Sequence, residues 1–430
     1  MKKSIVIIYL MILSAGVGLI SCTSGDSAQK VEYGKATEEL IQIVDNNPEI
    51  KSLLIASLKK AKSINPDKNT NPAQSLEEYY EFVSWAETSM PWNLLQSNDY
   101  PTMYDNIIQS LCYFYFLNDQ PLPQLEDRGY FNNSLQYVEP YSSWLTTFNK
   151  TWGTYLDTEA SWKDEYYQMA LKDKKFGLDQ GWYEDPSEWK TFNEFFARYL
   201  KSPDQRPIAS PEDHSVVASP ADSEPQGVWQ IDENSMIISD NGVPVKSMTL
   251  QSIEKLIGEE SEYEQEFANG TFTHSFLNVN DYHRYHFPLG GIIREVRIID
   301  EIEAVGAIVF WDEENKRYAF DPSRIGWQSV ETRGCVILET ERYGLVAILP
   351  IGMAQVNSVN FEKSVQPGKE VKKGDMLGYF LFGGSDFIMV FQEEAGFKLT
   401  APKTEDAKYY QHVLMGEEYG RLGGGDLSFK

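Results

Sequence analysis

The chain has 430 residues, 42% of them hydrophobic, so it is long enough to form one large domain or two domains with substantial cores. It carries 38 basic and 64 acidic residues, a formal net charge of −26 at pH 7. This excess of negative charge argues against nucleic acid as a partner and against a basic face that docks on anionic lipid.

The first 21 residues have the pattern of a bacterial lipoprotein signal peptide. Two lysines precede an apolar stretch at residues 5–20, and residues 19–22 match a lipobox that ends in Cys22. At about 16 residues, this stretch is shorter than the roughly 20 that a spanning helix needs, so a transmembrane anchor is the weaker alternative. We therefore expect cleavage after residue 21, a lipid on Cys22, and an exported protein held to a membrane of the bacterial cell envelope.

Two cysteines remain in the expected mature chain, Cys112 and Cys335. Two cysteines are too few for a disulfide framework or a cysteine-based metal site, although a single bridge between them stays open. We expect no metal in this protein.

Residues 22–190 read as helical. We divide them into a tether with N-terminal helices at 22–74 and a helical domain at 75–190. Amphipathic spacing at 50–58, a capping box at 75–78 and an apolar run at 102–117 predict helices.

An aromatic stripe predicts one further helix. Trp144, Phe148, Trp152 and Tyr155 follow one another at offsets of 4, 4 and 3 residues. Such a stripe could line an aromatic binding site, but it is more often part of a core.

Residues 191–430 read as a mostly antiparallel β domain after one helix. A capping box at 191–194 predicts a helix through Leu200, closed by two prolines. Beyond residue 208, short β-type runs alternate with turn residues, so the predicted fold class is α+β. The predicted strands are 228–231, 236–239, 292–299, 304–311, 336–338, 345–349 and 387–391.

Three stretches of the β part concentrate chemically useful residues: Ser219-Pro-Ala-Asp222, a stretch with His283 and His286, and Gly383-Gly-Ser385. Each is a weak signal by itself. Asp222 could cap a turn, and Gly-Gly-Ser is typical of a turn between strands.

The two histidines allow two interpretations. They could be a metal pair, but no further cysteine or histidine cluster completes one, and at offset 3 on a strand they would point to opposite faces. A Ser-His-Asp hydrolase is also open, although the glycine pattern around Ser385 differs from a nucleophile elbow.

Taken together and in order, the motifs resemble the phosphatidylserine decarboxylase family over about residues 190–395. Stretches at 351–356, 372–378 and 382–385 are similar in particular to the branch with the fungal L-tryptophan decarboxylase of psilocybin biosynthesis. Members of that branch carry an additional N-terminal domain, and the helical domain at 75–190, with Gly181-Trp182, is similar to it. The motifs that carry the resemblance are Phe192-Asn-Glu-Phe-Phe-Ala-Arg198, Arg206-Pro-Ile208, Ser219-Pro-Ala-Asp222, Asp281-Tyr-His-Arg-Tyr-His-Phe-Pro288 and Gly383-Gly-Ser385.

The resemblance implies a maturation triad of Asp222, His286 and Ser385. Ser385 would attack the carbonyl of Gly384, cut the chain between residues 384 and 385, and become a pyruvoyl cofactor. The substrate amine would join this carbonyl as a Schiff base that takes up electrons as CO₂ leaves, without metal or pyridoxal phosphate. By the same resemblance, His283 would protonate the carbanion that remains.

Arg284 and Arg333 are candidate binders of a substrate carboxylate, although a structural ion pair fits each equally well. Two positions depart from the family pattern. Ser223 stands where a glycine is usual, and Asp386 stands where threonine or serine is usual. A carboxylate at residue 386 could slow maturation by repelling an oxyanion, but the retained motifs favour an active site.

The predicted activity is that of a carboxy-lyase acting on phosphatidylserine to give phosphatidylethanolamine, a step of phospholipid biosynthesis. A free aromatic L-amino acid such as tryptophan is the alternative substrate. A non-catalytic lipoprotein binding module on the same fold is the second alternative. The expected partners are the substrate, the membrane through the lipid on Cys22, and the protein's own cleaved α and β chains; a homo-oligomer stays open.

Overall fold

The computed structural model describes residues 32–95, 100–238, 252–302, 304–321, 327–353 and 359–423. The expected signal peptide at 1–21, Cys22 and the start of the tether lie outside the described residues. Within them, no helix is both long and apolar enough to cross a membrane.

The N-terminal part is helical, and the predicted helices at 50–58, 102–117 and 144–155 are confirmed. Ser75 caps its helix as predicted, because its side chain accepts a hydrogen bond from the backbone N–H of Glu78. The helices are α1 (Lys35–Asn46), α2 (Pro48–Ile64), α3 (Leu76–Ala86), α4 (Met103–Phe116), α5 (Tyr141–Leu156), α6 (Asp164–Lys172), α7 (Phe192–Phe196) and α8 (Ile253–Ile257).

The aromatic stripe on α5 is core. Trp144, Phe148 and Trp152 are fully buried. The indole N–H of Trp144 donates to the carbonyl of Ala36, and that of Trp152 donates to the carbonyl of Ser89. Because the rings fill the interior and their polar atoms are satisfied, the core interpretation holds.

The C-terminal part is β-rich, and all pairings between its strands are antiparallel across the part of the chain that the structure describes. The α+β prediction is therefore confirmed. The strands are β1 (Val216–Ala218), β2 (Glu224–Gln230), β3 (Thr271–Leu277), β4 (Arg284–His286), β5 (Gly291–Ile299), β6 (Ile308–Asp312), β7 (Arg317–Asp321), β8 (Arg333–Glu339), β9 (Leu345–Met353), β10 (Val359–Phe361), β11 (Glu370–Val371), β12 (Met376–Phe380), β13 (Gly384–Phe391), β14 (Lys398–Leu399) and β15 (Glu418–Arg421).

A seven-stranded sheet in the order β11-β5-β8-β9-β13-β3-β2 forms the centre of this part. Strand β13 lies inside it, between β9 and β3, and the run Phe387–Phe391 is buried on both faces. A smaller sheet, β10-β12-β4, supplies the strand that leads directly into β13. The chain thus passes from one sheet to the other within three residues, just before Ser385.

Two predicted elements lack a predicted end, and a third is reduced to single bridges. Helix α7 ends at Phe196 instead of Leu200, because Leu200 forms a bridge with Tyr183. The strand predicted at 304–311 begins at Ile308, since Gly306 has a φ of +66° that a strand does not accommodate. The strand predicted at 236–239 is reduced to single bridges at residues 236 and 237, and residue 239 lies outside the described residues.

The helices pack directly on the β part. Gln109 of α4 makes two hydrogen bonds to the backbone of Tyr318 on β7, at 2.7 and 2.8 Å. Asp119, just after α4, accepts a hydrogen bond from the backbone N–H of Val309 on β6. Residues 33–430 accordingly form one compact unit.

Candidate active site

Ser385 is the second residue of β13 and lies in the interior of the central sheet. It pairs with Leu277 of β3 and Gly352 of β9 and is fully buried. Its Oγ makes no hydrogen bond with any described residue. An unpartnered buried hydroxyl costs free energy, which makes Ser385 a candidate for a role other than stability.

The segment before Ser385 is held by aromatic packing. The ring of Phe382 contacts the rings of Trp152, Phe192 and Phe196 at centroid distances of 5.4, 5.2 and 5.3 Å. Gly383 then has a φ of +146°, a conformation that residues with a side chain rarely adopt. The backbone conformation at residue 383 therefore favours glycine over other residues.

His283 lies beside this segment. Its ring stacks on Phe196 with centroids 3.8 Å apart, and its carbonyl accepts a hydrogen bond from the N–H of Phe380. The side chain is fully buried, and neither ring nitrogen has a partner among the described residues. Burial, and secondly the charge of Arg198, lower the pKa of His283 well below its usual value. The imidazole is therefore neutral.

His286, the last residue of β4, has a fixed tautomer. Its Nδ1 lies 2.8 Å from the carbonyl oxygen of Gly374, which can only accept, so Nδ1 carries the proton. Its Nε2 then accepts from the hydroxyl of Tyr282, 3.2 Å away. Burial lowers the pKa of His286, which keeps a lone pair on Nε2. This is the state that a general base requires.

Asp222 is held by a partner other than His286. Its carboxylate accepts two hydrogen bonds from Arg206 and one from the backbone N–H of Met415. In a triad, Asp222 would accept the hydrogen bond from Nδ1 of His286. Here the carbonyl oxygen of Gly374 accepts that hydrogen bond instead. Asp222 still lies close enough for its charge to act on the pKa of His286, and the N–H of His286 donates to the carbonyl of Pro220.

Asp386 lies on the opposite face of the sheet from the Ser385 side chain, because successive residues of a strand alternate in direction. Its carboxylate is fully buried and lies 3.1 Å from Nε2 of His274 on β3. Burial raises the pKa of Asp386. The sheet therefore separates this carboxylate from the hydroxyl that it was expected to disturb.

Ser223 forms an antiparallel bridge with Val413, and its N–H donates to the carbonyl of that residue. An extended bridge of this kind accepts any side chain, so serine fits where the family has glycine.

Arg284 and Arg333 both have protein partners. Arg284 donates to the carbonyl of Ala197 and lies over the ring of Tyr199, at the wall of a cavity of about 970 Å³. The guanidinium of Arg333 donates to three backbone carbonyls, and burial lowers its pKa to about 10. Substrate binding by either residue stays a prediction.

Cys112 and Cys335 are free and buried, so the bridge left open by the sequence is absent from the structure. Within the described ranges, no group of three or more His, Cys, Asp or Glu side chains is placed to hold a metal ion.

Sequence reasoning missed three groups that hold candidate site residues, Arg206, Tyr282 and the Gly374 carbonyl, and it also missed His274, the neighbour of Asp386. Arg206 and Tyr282 stand inside the motifs quoted above and could have been singled out there. His274 belongs to no motif, and the role of a backbone carbonyl leaves no trace in a sequence.

The comparisons with known proteins point to one family. A model of the family described as phosphatidylserine decarboxylase matches residues 192–421. Phosphatidylserine decarboxylase proenzyme 2 of Oryza sativa is 31% identical over 257 residues, which are 58% of this chain and 37% of the relative. The phosphatidylserine decarboxylase proenzyme of Alcanivorax borkumensis is 30% identical over 273 residues, 60% of this chain and 87% of the relative.

A third relative has a different name. Decarboxylase iboD of Amanita muscaria is 25% identical over 308 residues, 66% of this chain and 84% of the relative. The chain spans well under two thirds of the length of the rice relative.

Proposed function

Because the chain belongs to the phosphatidylserine decarboxylase family, a family of carboxy-lyases, we propose that it cuts itself between Gly384 and Ser385 and converts phosphatidylserine to phosphatidylethanolamine. The observation that carries the proposal is the state of Ser385. A fully buried serine with an unpartnered hydroxyl follows two glycines at the start of a central strand. These residues fit the formation of a pyruvoyl group from Ser385.

Maturation needs a nucleophile and a base. Oγ of Ser385 attacks the carbonyl carbon of Gly384, and the peptide bond is replaced by an ester. His286, with a lone pair on Nε2, is the residue suited to take up the proton. Loss of the Cα proton of residue 385 then releases the upstream chain as a carboxylate. Water converts the remaining dehydroalanine to pyruvoyl and ammonia.

The pyruvoyl group supplies a carbonyl that binds the substrate amine and takes up the electron pair as CO₂ leaves. His283 is the residue suited to the proton that follows. Its ring is buried beside Phe196, and its carbonyl holds the N–H of Phe380, so the side chain lies next to the segment that leads to Ser385.

We propose phosphatidylserine as the substrate because the relatives from Oryza sativa and Alcanivorax borkumensis are named for it. We also propose export and lipid attachment at Cys22, on the lipobox alone. That attachment would hold the enzyme at a membrane surface, where a phospholipid substrate is found.

The test starts with the purified full chain on a denaturing gel. We expect two fragments, of which the smaller begins at residue 385 and carries a pyruvoyl mass, whereas Ser385→Ala gives one full-length band. The processed protein is then incubated with phosphatidylserine vesicles and with a panel of free amino acids, and CO₂ and amine products are measured. A single band from the wild-type chain would refute the proposed function, and release of CO₂ from free amino acids alone would refute the substrate.

A further inference from the structure

The three residues between β12 and β13 leave both sheets. The N–H of Phe380 still donates to the carbonyl of His283, and Gly384 already pairs with Met353 of β9. Between these points the N–H of Phe382 donates to Oδ1 of Asn193 on α7, at 3.2 Å. A side chain of a helix thus holds the backbone two residues before the cleavage site.

Asn193 is itself fixed in orientation. It is 1% exposed, and its Nδ2 donates to Oδ1 of Asp157 at 2.8 Å. A carboxylate only accepts hydrogen bonds, so the amide nitrogen must face Asp157 and the amide oxygen must face Phe382. Asp157 is the C-cap residue that directly follows α5. The connection therefore runs from the helical part to the cleavage segment.

This restraint matters because Gly383 and Gly384 place few limits on their own backbone. In the acyl shift, the C–N bond between Gly384 and Ser385 breaks as a C–O bond to Oγ forms. The hydroxyl proton is removed and the amide nitrogen gains one, so charge balances. Such a reaction is fast only while the hydroxyl and the carbonyl carbon stay in a narrow range of geometry.

We propose that Asn193 is a positioning residue for self-cleavage. It holds the backbone at Phe382, so that the carbonyl of Gly384 stays in reach of the Ser385 hydroxyl. Asn193 does not touch the reacting atoms. The proposal rests on the proposed self-cleavage. It goes beyond it by naming the residue that holds the backbone next to Gly383 and Gly384.

The test measures the rate at which freshly folded full-length chain converts to two fragments. Asn193→Ala should slow this conversion by about 10- to 100-fold, the range expected when a reacting group is displaced by up to about 1 Å. Asn193→Asp should be slow as well, because it sets a second carboxylate against Asp157. In the double variant Asn193→Asp with Asp157→Asn, the new amide at residue 157 can donate to the new carboxylate at residue 193. This variant should recover most of the wild-type cleavage rate.

A matched control separates positioning from stability. Asn118 is also fully buried and accepts a hydrogen bond from Tyr79 at 3.0 Å, within the helical core. Asn118→Ala should lower the melting temperature and leave the cleavage rate of the folded protein unchanged. The processed fraction of Asn193→Ala should show the wild-type KM and kcat for decarboxylation, because the restraint is no longer needed after cleavage.

Three results would overturn the proposal: an unchanged cleavage rate in Asn193→Ala, a rate that falls only as the folded fraction falls, or a double variant no faster than Asn193→Asp. A raised KM in the processed Asn193→Ala enzyme would instead assign the residue to substrate binding and also overturn it. Failure of the wild-type chain to cleave would refute the proposed function and is distinguishable from all of these.

Discussion

The guanidinium of Arg206 holds the carboxylate of Asp222 through two hydrogen bonds, from Nε to Oδ1 at 3.0 Å and from Nη2 to Oδ2 at 2.7 Å. Both side chains are almost fully buried, and Arg206 also lies over the ring of Trp182, 4.3 Å from its centre. Trp182 precedes the region that matches the family model. The acid of the candidate site is therefore held by a residue that packs on the N-terminal part.

We expect Arg206→Ala to lower the free energy of unfolding by about 3–5 kcal/mol, because it leaves the buried charge of Asp222 unpaired. Arg206→Lys should lower the free energy of unfolding by less. Lysine keeps the positive charge beside Asp222, but it cannot form the two parallel hydrogen bonds of the guanidinium. Denaturant unfolding in the Ser385→Ala background, where no cleavage intervenes, gives both values. Arg128→Ala is the control, because Arg128 pairs with Glu49 at the surface, and a loss as large as that of Arg206→Ala would contradict the prediction.

The two histidines should affect different steps. We expect His286→Asn to slow self-cleavage by about 10²–10⁴-fold, the usual contribution of a general base. His283→Asn should still give two fragments but release little CO₂ from the substrate. The gel follows the first step and CO₂ release follows the second. His214→Asn, at an exposed histidine, should change neither, and a full-length His283→Asn chain would contradict this separation.

Asp386→Asn tests whether the carboxylate after Ser385 impedes maturation. Since Asp386 and the Ser385 hydroxyl lie on opposite faces of the sheet, we expect little change in the rate of self-cleavage. The main effect should be on stability, because the substitution changes a fully buried carboxylate that lies 3.1 Å from Nε2 of His274. The cleavage time course and the melting temperature are measured on the same sample. A markedly faster cleavage would show that the carboxylate does repel the developing oxyanion.

Asp119 predicts a pH dependence of stability. Burial raises its pKa to about 7, although hydrogen bonds from Asn132 and Val309 oppose the shift. Between about pH 4 and pH 7 the folded chain therefore binds a proton that the unfolded chain has lost, so this contribution to the free energy of unfolding falls as pH rises. Asp119→Asn should flatten that part of the profile. Denaturant midpoints across this pH range check it, and equal slopes for both proteins would contradict it.

The sequence alone determined the family, the helices α2 to α5 and six of the fifteen described strands, namely β2, β5, β6, β8, β9 and β13. Helix spacing, capping boxes and the order of short motifs are properties of neighbouring residues, so no knowledge of distant contacts is needed to see them. The end of an element is harder to predict where a residue distant in the chain offers another hydrogen-bond partner. Leu200, for example, lies outside α7 and forms a bridge with Tyr183.

Only the tertiary structure decided which groups hold the candidate site residues. The sequence predicts Ser385 as a site residue, but it does not reveal that the Ser385 hydroxyl has no hydrogen-bond partner among the described residues of the central sheet. The acceptor for His286 is 88 residues away in the chain, and the residue that holds Phe382 is 189 residues away. Such pairs form because burial forces each polar atom to find a partner nearby in space, and folding decides what is nearby.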